Sequence, residues 1–210
     1  MYKRFTKRLL DFLIALIAII LLLIPMGIIA LMIKIADPGP ALFTQKRVGI
    51  HKKHFKLYKF RTMKRRTPHD VPTHLLKNPE QYMLPIGKTL RKYSIDELPQ
   101  LFNILKVDMS FIGPRPALWN QDDLIAERDR YGANDVKPGL SGWAQINGRD
   151  ELEIPVKAKY DGEYVKKQSF RFDCRCFFGT IRSAARHEGV VEGGTGSEES
   201  TADLQGKERK

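Results

Sequence analysis

Cysteine is nearly absent from this chain: its 210 residues include two, Cys174 and Cys176, separated by a single residue. A disulfide framework is therefore excluded, as expected for a protein of a reducing compartment. A structural zinc site, which needs about four ligands, is excluded too, because the five histidines are scattered without metal-ligand spacing. We interpret the two cysteines as packing residues on one face of a strand.

The sequence also lacks the Gly-x-x-x-x-Gly-Lys-Ser/Thr loop, which excludes a P-loop nucleotide-binding protein, and it contains no recognised nucleic-acid-binding motif or internal repeat. Acidic residues are in the minority: 24 Asp and Glu stand against 36 Lys and Arg, a net charge of +12. Such an excess predicts anionic partners, which include nucleic acid, lipid headgroups and phosphorylated substrates. The length suffices for one compact domain with appendages.

Charged and strongly polar residues are missing from Phe12 to Ile33. As a straight helix this run would be roughly 33 Å long, close to the thickness of the hydrocarbon core of a bilayer. The run is long for the apolar part of a signal peptide, and no small-residue cleavage site follows it. The simplest interpretation is a single transmembrane helix.

Two observations favour a second interpretation, a re-entrant helix that enters one leaflet, bends and returns. Pro25 lies inside the run, where it removes a backbone hydrogen bond and leaves arms of roughly 20 Å and 12 Å, each too short to cross alone. Both flanks are basic, so the positive-inside rule is satisfied with both ends on the cytoplasmic side. The flanking basic residues are Lys3, Arg4, Lys7 and Arg8 before the run, and Lys34, Lys46, Arg47, Lys52 and Lys53 after it.

The remaining sequence predicts an α+β fold with a short β-hairpin formed by Ala41–Val48 and His54–Arg61. In the predicted helix Asn120–Tyr131, Leu124 and Ile125 are expected to face inward and the segment Glu127–Arg130 outward. The other predicted segments are helices at Ile95–Lys106 and Ile154–Lys166, an irregular loop at Thr67–Pro85, and an ambiguous stretch at Phe170–Ile181.

Asp96 and Glu97 are adjacent carboxylates within the motif Ser94-Ile95-Asp96-Glu97-Leu98-Pro99-Gln100. Ser94 and Glu97 match a capping box, and in that case Glu97 only closes the start of a helix. If the helix instead begins at Pro99, which suits the first helical position, the two acids lie just before it. In both cases the positive end of the helix dipole keeps them ionised, and an ionised carboxylate is able to attack phosphorus or to anchor a metal ion.

Most of the basic residues are expected to be solvated surface charge. A smaller set is embedded in apolar or Gly/Pro-rich sequence, where a surface role is less natural, and arginine binds phosphate oxygens in a bidentate manner. These candidates for phosphate binding are Lys59, Arg61, Arg91, Arg115 and Arg149.

Four long motifs follow one another in the chain: Tyr58–Met63, Leu90–Asn103, Asp108–Pro116 and Lys137–Arg149. Together with the apolar segment and its proline, they resemble the bacterial sugar transferases of the small monotopic phosphoglycosyl transferase family. The match covers roughly residues 1–190 in the same order. At Val107 the chain departs from the resemblance, since many members have Gly before the Asp.

The resemblance implies transfer of a sugar-1-phosphate from a UDP-sugar, with an N-acetylated hexosamine expected, to undecaprenyl phosphate, with release of UMP. It implies that Asp96 is the nucleophile of a covalent phosphosugar intermediate, that Glu97 is its partner or a base, and that Mg²⁺ binds near the pair through Asp96. The basic motif positions implied to hold phosphates or the nucleotide are Lys59, Arg91, Arg115 and Arg149.

The resemblance also implies a monotopic protein of the bacterial cell membrane, with a re-entrant helix in the lipid bilayer and the catalytic domain on the cytoplasmic face. We accordingly divide the chain into a membrane helix (1–36), a catalytic domain (37–190) and a disordered tail (191–210). A homodimer stays open, and no nucleic-acid partner is expected.

Two interpretations without catalysis stay open beside this one. The charge alone would suit a membrane-tethered module that binds nucleic acid or anionic lipid, with strongly salt-dependent affinity. An anchor or scaffold subunit is the other, in which the acidic pair merely caps a helix and matters only for stability.

Overall fold

The computed structural model describes residues 2–67, 79–148 and 152–186. Helices and strands are mixed along the chain, in agreement with the predicted α+β class. The helices are α1 (Lys7–Ala36), α2 (Gly87–Lys92), α3 (Gln100–Leu105), α4 (Asp122–Asp129), α5 (Trp143–Ile146), α6 (Ile154–Lys167) and α7 (Phe170–Arg186). The strands are β1 (Leu42–Val48), β2 (His54–Phe60), β3 (Ser110–Ile112) and β4 (Gly139–Ser141).

α1 contains the apolar run and continues through Pro25 as one helix. Within the described ranges it is the one helix whose length and composition would allow it to cross a membrane. In its most apolar 18-residue window only 17 % is buried, whereas the central helix of a soluble protein is mostly buried. These properties indicate membrane association, and the re-entrant arrangement stays a prediction.

One stripe of α1 packs against the globular part from end to end. In the first half of the helix, Ala15 and Ile19 join a buried cluster that includes Leu57 of β2 and Leu101 and Ile104 of α3. Further along, a second cluster contains Met26 and Ile33 of α1 with Ala41, Phe60, Leu84 and Leu90. The spacing of these α1 residues is that of one helical face, so α1 forms part of the core.

Polar contacts attach both ends of α1 to the same globular part. Near its start, Asp11 accepts hydrogen bonds from the Ser110 hydroxyl (2.7 Å) and the Phe111 backbone N–H (3.2 Å). Directly after its end, Asp37 Oδ2 accepts a hydrogen bond from Arg61 Nη1 at 2.8 Å. The two ends of the helix are therefore fixed to one structural unit.

The predicted β-hairpin is confirmed. β1 and β2 are antiparallel, and their register places Phe43 opposite Lys59 and Arg47 opposite Phe55. Because opposite residues point to the same face of a sheet and the side chains alternate, Arg47 and Lys59 share one face of the hairpin.

A parallel pair formed by β3 and β4 was not predicted from the sequence. Ser110 lies opposite Gly139, and Ile112 lies opposite Ser141. A side chain at Gly139 would collide with the backbone of Gly113, so glycine allows the two segments to approach this closely. The contact fixes the segment Gly113–Pro116, which carries Arg115.

The helix predicted at Asn120–Tyr131 is present as α4. Leu124 is buried as expected, but the prediction that Arg128 faces outward is wrong, because only 4 % of this residue is exposed. Its Nη2 lies 2.6 Å from Asp161 Oδ2 of α6. A charge-assisted pair of this kind allows an arginine to be buried between two helices.

The ambiguous segment at Phe170–Ile181 is helical and forms most of α7. The interpretation of the two cysteines as residues on one face of a strand is therefore wrong. Cys176 is fully buried and Cys174 is half-buried, since residues two apart on a helix point in directions about 200° apart.

α7 presents a second apolar face outward. Its inward face includes Cys176 and Asp173, while exposed aromatic and aliphatic side chains lie on another side, beside exposed arginines. This pattern is typical of a helix that lies in a membrane interface. The exposed apolar residues are Phe170, Phe177, Phe178 and Ile181, and the arginines are Arg171, Arg175 and Arg182.

Three predictions concern residues outside the described ranges. They are the central part of the predicted loop Thr67–Pro85 (68–78), the phosphate-binding role of Arg149, and the disordered tail (191–210).

Candidate active site

Asp96 and Glu97 lie in a single 3₁₀ turn, Ile95–Glu97, between α2 and α3. The predicted capping box is wrong: Ser94 adopts a left-handed conformation (φ 54°), and its side chain makes no capping hydrogen bond. α3 begins at Gln100 and Pro99 precedes it directly. The structure is thus closer to the second alternative, in which both acids precede a helix that begins near Pro99.

Glu97 is held by two cations. Lys59 Nζ lies 2.8 Å from Glu97 Oε1, and Arg115 donates through Nη2 to the same oxygen at 2.7 Å and through Nη1 to Oε2 at 3.4 Å. Burial alone would raise the pKa of Glu97, but the charges and hydrogen bonds of Arg115 and Lys59 hold this pKa well below its usual range. Glu97 is accordingly an ionised group that aligns Lys59 and Arg115.

Asp96 is buried as well, with 8 % of the residue exposed, but its carboxylate is used differently. Its Oδ2 lies 3.8 Å from Lys59 Nζ, and no residue within the described ranges donates a hydrogen bond to it. Burial raises the pKa of Asp96, the nearby charge of Lys59 opposes this rise, and the charge of Glu97 adds to it. Asp96 is thus a carboxylate whose oxygens remain available to a ligand.

The other predicted basic residues fall into three situations. Arg91 donates from Nε to the Thr62 hydroxyl at 2.9 Å, and its charge lowers the pKa of Asp96. Arg61 binds Asp37 through both terminal nitrogens, so its observed contacts fasten the end of α1. Arg149 lies outside the described residues. The structure therefore brings Lys59, Arg91 and Arg115 to the acidic pair, and not Arg61.

Sequence reasoning missed Arg47 and Gln100 as residues of this site. Both line a small cavity of about 10 Å³ next to Arg115, together with Leu57 and Pro116. The hairpin register was a usable signal for Arg47, because it places this residue on the same face as Lys59.

A larger, open cleft of about 600 Å³ lies at the end of α1 and includes neither acid. The lining of the small cavity also includes neither acid, but Arg115 lines it and binds Glu97. We place the site there because the carboxylates and their cations can supply phosphoryl chemistry. Among the described residues that line the large cleft, the acid is Asp37, which Arg61 already binds. The residues that line the large cleft are Asp37, Pro38, Lys64, Arg65 and Arg66.

Within the described ranges no group of three or more His, Cys, Asp and Glu side chains could hold a metal ion. Mg²⁺ often binds through one or two carboxylates, with the rest of its ligands from water and substrate phosphates. Asp96 fits that requirement, because no donor among the described residues occupies its oxygens. Glu97 does not, because Lys59 and Arg115 already occupy its oxygens.

Residues 2–187 match the family described as "Bacterial sugar transferase". The chain is 42 % identical over 154 residues to the uncharacterized sugar transferase EpsL of Bacillus subtilis. This match covers 73 % of this chain and 74 % of that protein. It is 38 % identical over 187 residues to the UDP-N-acetylgalactosamine-undecaprenyl-phosphate N-acetylgalactosaminephosphotransferase of Aeromonas hydrophila, covering 85 % of this chain and 43 % of the relative.

A third relative is the UDP-glucose:undecaprenyl-phosphate glucose-1-phosphate transferase of Escherichia coli, which is 36 % identical over 192 residues, covering 85 % of this chain and 40 % of that protein. The chain thus spans less than half the length of the Aeromonas and Escherichia relatives. The family match extends from the segment before α1 to the end of α7 and includes the acidic pair. On this evidence the chain belongs to the bacterial sugar transferase family.

Proposed function

We propose that the protein transfers a sugar-1-phosphate from a UDP-sugar to undecaprenyl phosphate and releases UMP. The names of the Aeromonas and Escherichia relatives support this reaction class. These names differ in the sugar, and we take an N-acetylated hexosamine as the first candidate. The observation that carries the proposal is the Asp96 carboxylate, which is buried among cations while its oxygens stay available.

In the first step of the proposed mechanism, an Asp96 oxygen attacks the phosphorus that carries the sugar. A carboxylate–phosphorus bond forms, the bond from this phosphorus to the bridging oxygen breaks, and UMP leaves with the electron pair. Lys59 and Arg115 supply positive charge beside the reacting carboxylate, which offsets the repulsion between two anions. Mg²⁺ bound through Asp96 and the diphosphate would add further charge neutralisation.

In the second step, a phosphate oxygen of undecaprenyl phosphate attacks the same phosphorus and releases the Asp96 carboxylate. A phosphate oxygen that is already ionised needs no base for this attack. Glu97 is poorly suited to be that base, because its pKa is held well below the usual range by Arg115 and Lys59 despite its burial. We therefore assign Glu97 the positioning of Lys59 and Arg115.

The proposal includes a monotopic arrangement, with α1 inserted from the cytoplasmic face into one leaflet. The contacts of Asp11 with β3 and of Asp37 with Arg61 support it, because both ends of α1 are attached to one polar domain. A fully crossing α1 would pull part of that domain into the hydrocarbon core, where unsatisfied polar groups are costly. The outward apolar face of α7 begins beside the start of α1, where the rings of Phe170 and Tyr2 are in contact, and we expect it to touch the same membrane surface.

A panel of UDP-sugars tests the reaction. Purified protein is mixed with each donor and undecaprenyl phosphate, and UMP is measured with Mg²⁺ and with EDTA in excess. We expect release of UMP with at least one N-acetylated donor and little release with EDTA. If no donor yields UMP, the proposed function is wrong; release that EDTA leaves unchanged would contradict the Mg²⁺ assignment.

Intact-mass spectrometry tests the intermediate. The protein mixed with donor alone is expected to gain the mass of one sugar phosphate, and Asp96→Asn is expected to gain none. Asp122→Asn, a change of an exposed acid in α4, is the matched control and should still form the adduct. Turnover by a wild-type protein that never carries the adduct would contradict the two-step mechanism.

Cysteine labelling tests the arrangement in the membrane. In a background with Cys174 and Cys176 replaced by Ser, a cysteine is introduced at Lys3 or at Lys53, on either side of α1. Neither site should react with an impermeant maleimide in intact cells, and both should react after the cells are opened. Labelling at one site alone in intact cells would show a full crossing.

A further inference from the structure

Gln100 is an unusual member of the site. Only 1 % of this residue is exposed, and its side-chain nitrogen Nε2 has no hydrogen-bond partner within the described part of the chain. Buried polar side chains nearly always have a partner, so one without a protein partner points to a ligand or a water molecule that completes it. Gln100 begins α3, four residues after Asp96.

The cavity at Gln100 has the size and the chemistry of a site for a single oxygen atom. Its volume of about 10 Å³ is that of roughly one water-sized sphere. Two arginines, Arg47 and Arg115, are among the residues that line it. Arg47 donates hydrogen bonds to the Gln45 side-chain oxygen and to the Pro116 carbonyl, which hold this side chain beside the cavity. Two cations and an amide donor favour an anionic oxygen over a hydroxyl group.

One residue connects the cavity with the acidic pair. Arg115 lines it and at the same time binds Glu97, the neighbour of Asp96. An oxygen bound at this position would thus belong to a group that lies against the acidic pair.

We propose that Gln100 and Arg47 bind one non-bridging oxygen of the phosphoryl group during its transfer. This inference depends on the proposed function, and it makes Gln100 a substrate-binding residue. Of the two non-bridging oxygens on the transferred phosphorus, one is bound in the cavity. Replacement of that oxygen by sulfur, which is larger and a weaker hydrogen-bond acceptor, is therefore harmful at that position and less so at the other.

Phosphorothioate donors provide the test. UMP release is measured with a UDP-sugar and with each of its two diastereomers that carry sulfur on the sugar-linked phosphorus. In the wild type we expect one diastereomer to lose about tenfold or more in kcat/KM relative to the oxygen donor. Gln100→Leu is expected to lose about tenfold to a hundredfold with the oxygen donor and to show a much smaller difference between the diastereomers.

Two further variants complete the experiment. Gln100→Glu keeps the shape of the side chain but replaces a donor by an anion, so it should lose more activity than Gln100→Leu. Gln168→Leu, a glutamine at the end of α6 outside the cavity, is the matched control and should keep both the rate and the diastereomer ratio. Melting temperatures of all variants show whether a loss follows from unfolding.

The outcomes separate this inference from the function on which it depends. A Gln100→Leu protein with the wild-type diastereomer ratio, whatever its rate, would show that a water molecule completes Gln100, and the inference would be wrong. A wild type that releases no UMP from any donor would instead overturn the proposed function, and this inference with it.

Discussion

Two acidic pairs within the described ranges differ in how their oxygens are used. One is Asp96 with Glu97 in the active site; the other is Asp11 with Asp173 at the start of α1. In the second pair, Asp173 accepts hydrogen bonds from Lys7, Tyr2 and Tyr164. Asp11 accepts from Ser110 on one oxygen and from Phe111 on the other. All four oxygens of this pair have a protein donor.

In the active-site pair, only one of the two carboxylates receives hydrogen bonds. Glu97 is bound by Lys59 and Arg115, whereas Asp96 receives no hydrogen bond from any residue in the described ranges. Asp96, Glu97 and Asp173 are buried, the side chain of Asp11 is 14 % exposed, and both pairs lie beside a lysine. Burial and charge therefore separate the two pairs only weakly. The pairs differ in that the Asp96 oxygens receive no hydrogen bond from the described residues, which supports the proposed role of Asp96.

The largest expected effect is on activity at Asp96. Asp96→Asn should lower UMP release by roughly three orders of magnitude or more, because this change removes the proposed nucleophile. Unfolding measurements should show unchanged or slightly higher stability, since burial of a carboxylate that receives no hydrogen bond from the described residues is unfavourable for its ionised form. An Asp96→Asn protein that keeps its activity, or one that is unfolded, would contradict the difference that we draw between the two pairs.

Asp173 should show the opposite pattern. Asp173→Ala leaves the buried Lys7 without its partner at 2.7 Å, and loss of one member of a buried pair costs about 3–5 kcal/mol of the free energy of unfolding. Chemical denaturation in detergent measures this change. Activity per folded molecule should stay near that of the wild type; a catalytic defect in a stable protein would contradict a structural role.

Glu97 should lie between these extremes. Glu97→Gln keeps the shape of the side chain but weakens the alignment of Lys59 and Arg115, so kcat should fall about tenfold to a hundredfold, with the adduct at Asp96 still formed. Steady-state kinetics and intact-mass spectrometry together check this. A loss as large as that of Asp96→Asn, with no adduct, would show that Glu97 takes part in the first step.

The pH dependence of the reaction sharpens the roles within the active-site pair. Attack requires ionised Asp96, and burial raises the pKa of this carboxyl above its ordinary value of 3.8. Activity should therefore fall with decreasing pH through a pKa above 3.8, while Glu97 stays ionised. Lys59→Gln should shift this fall in activity to higher pH, since Lys59 lowers the pKa of Asp96. Glu97→Gln should shift it to lower pH, since Glu97 raises that pKa. If activity fell over the same pH range in the wild type and in both variants, the assignment to Asp96 would be contradicted.

The smallest expected effect concerns the backbone just after the end of α3. Val107 has φ 69°, a left-handed conformation that is costly for a β-branched residue. Val107→Gly should therefore raise the free energy of unfolding by about 1 kcal/mol, the relief of strain being partly offset by the greater freedom of glycine in the unfolded chain. Val136→Gly is the matched control at an extended residue (φ −118°) and should destabilise the protein.

Local sequence signals predicted the hairpin, α4 and α6, because alternation and turn residues act over a few neighbouring residues. They failed at α7, since Phe170, Phe177, Phe178 and Ile181 form an outward apolar face that is not expected of a helix in a soluble domain. They also failed at Arg128, whose partner Asp161 lies 33 residues away. Contacts over such distances in sequence are not contained in local patterns.

The candidate site was predicted in part for the same reason. The acidic pair and the basic residues near it were found from their motifs, and Lys59, Arg91 and Arg115 do lie near Asp96 or Glu97. The pattern of Ser94 and Glu97 suggested a capping box, but Lys59 and Arg115 bind Glu97 more strongly than a backbone N–H would. Gln100 was missed, because an unpartnered amide becomes visible only when the packing around it is known.

The packing of α1 has a consequence for the proteolysis of this protein. Four residues of α1 complete the same buried clusters as Leu57 and Leu90, namely Ala15, Ile19, Met26 and Ile33. Removal of α1 would therefore expose the core of the globular part. A protease that cuts between residues 36 and 41 and frees the remainder from lipid would leave a fragment with an open core. We therefore expect that a cut which separates α1 from the rest of the chain also destabilises the fold and leaves no active soluble fragment.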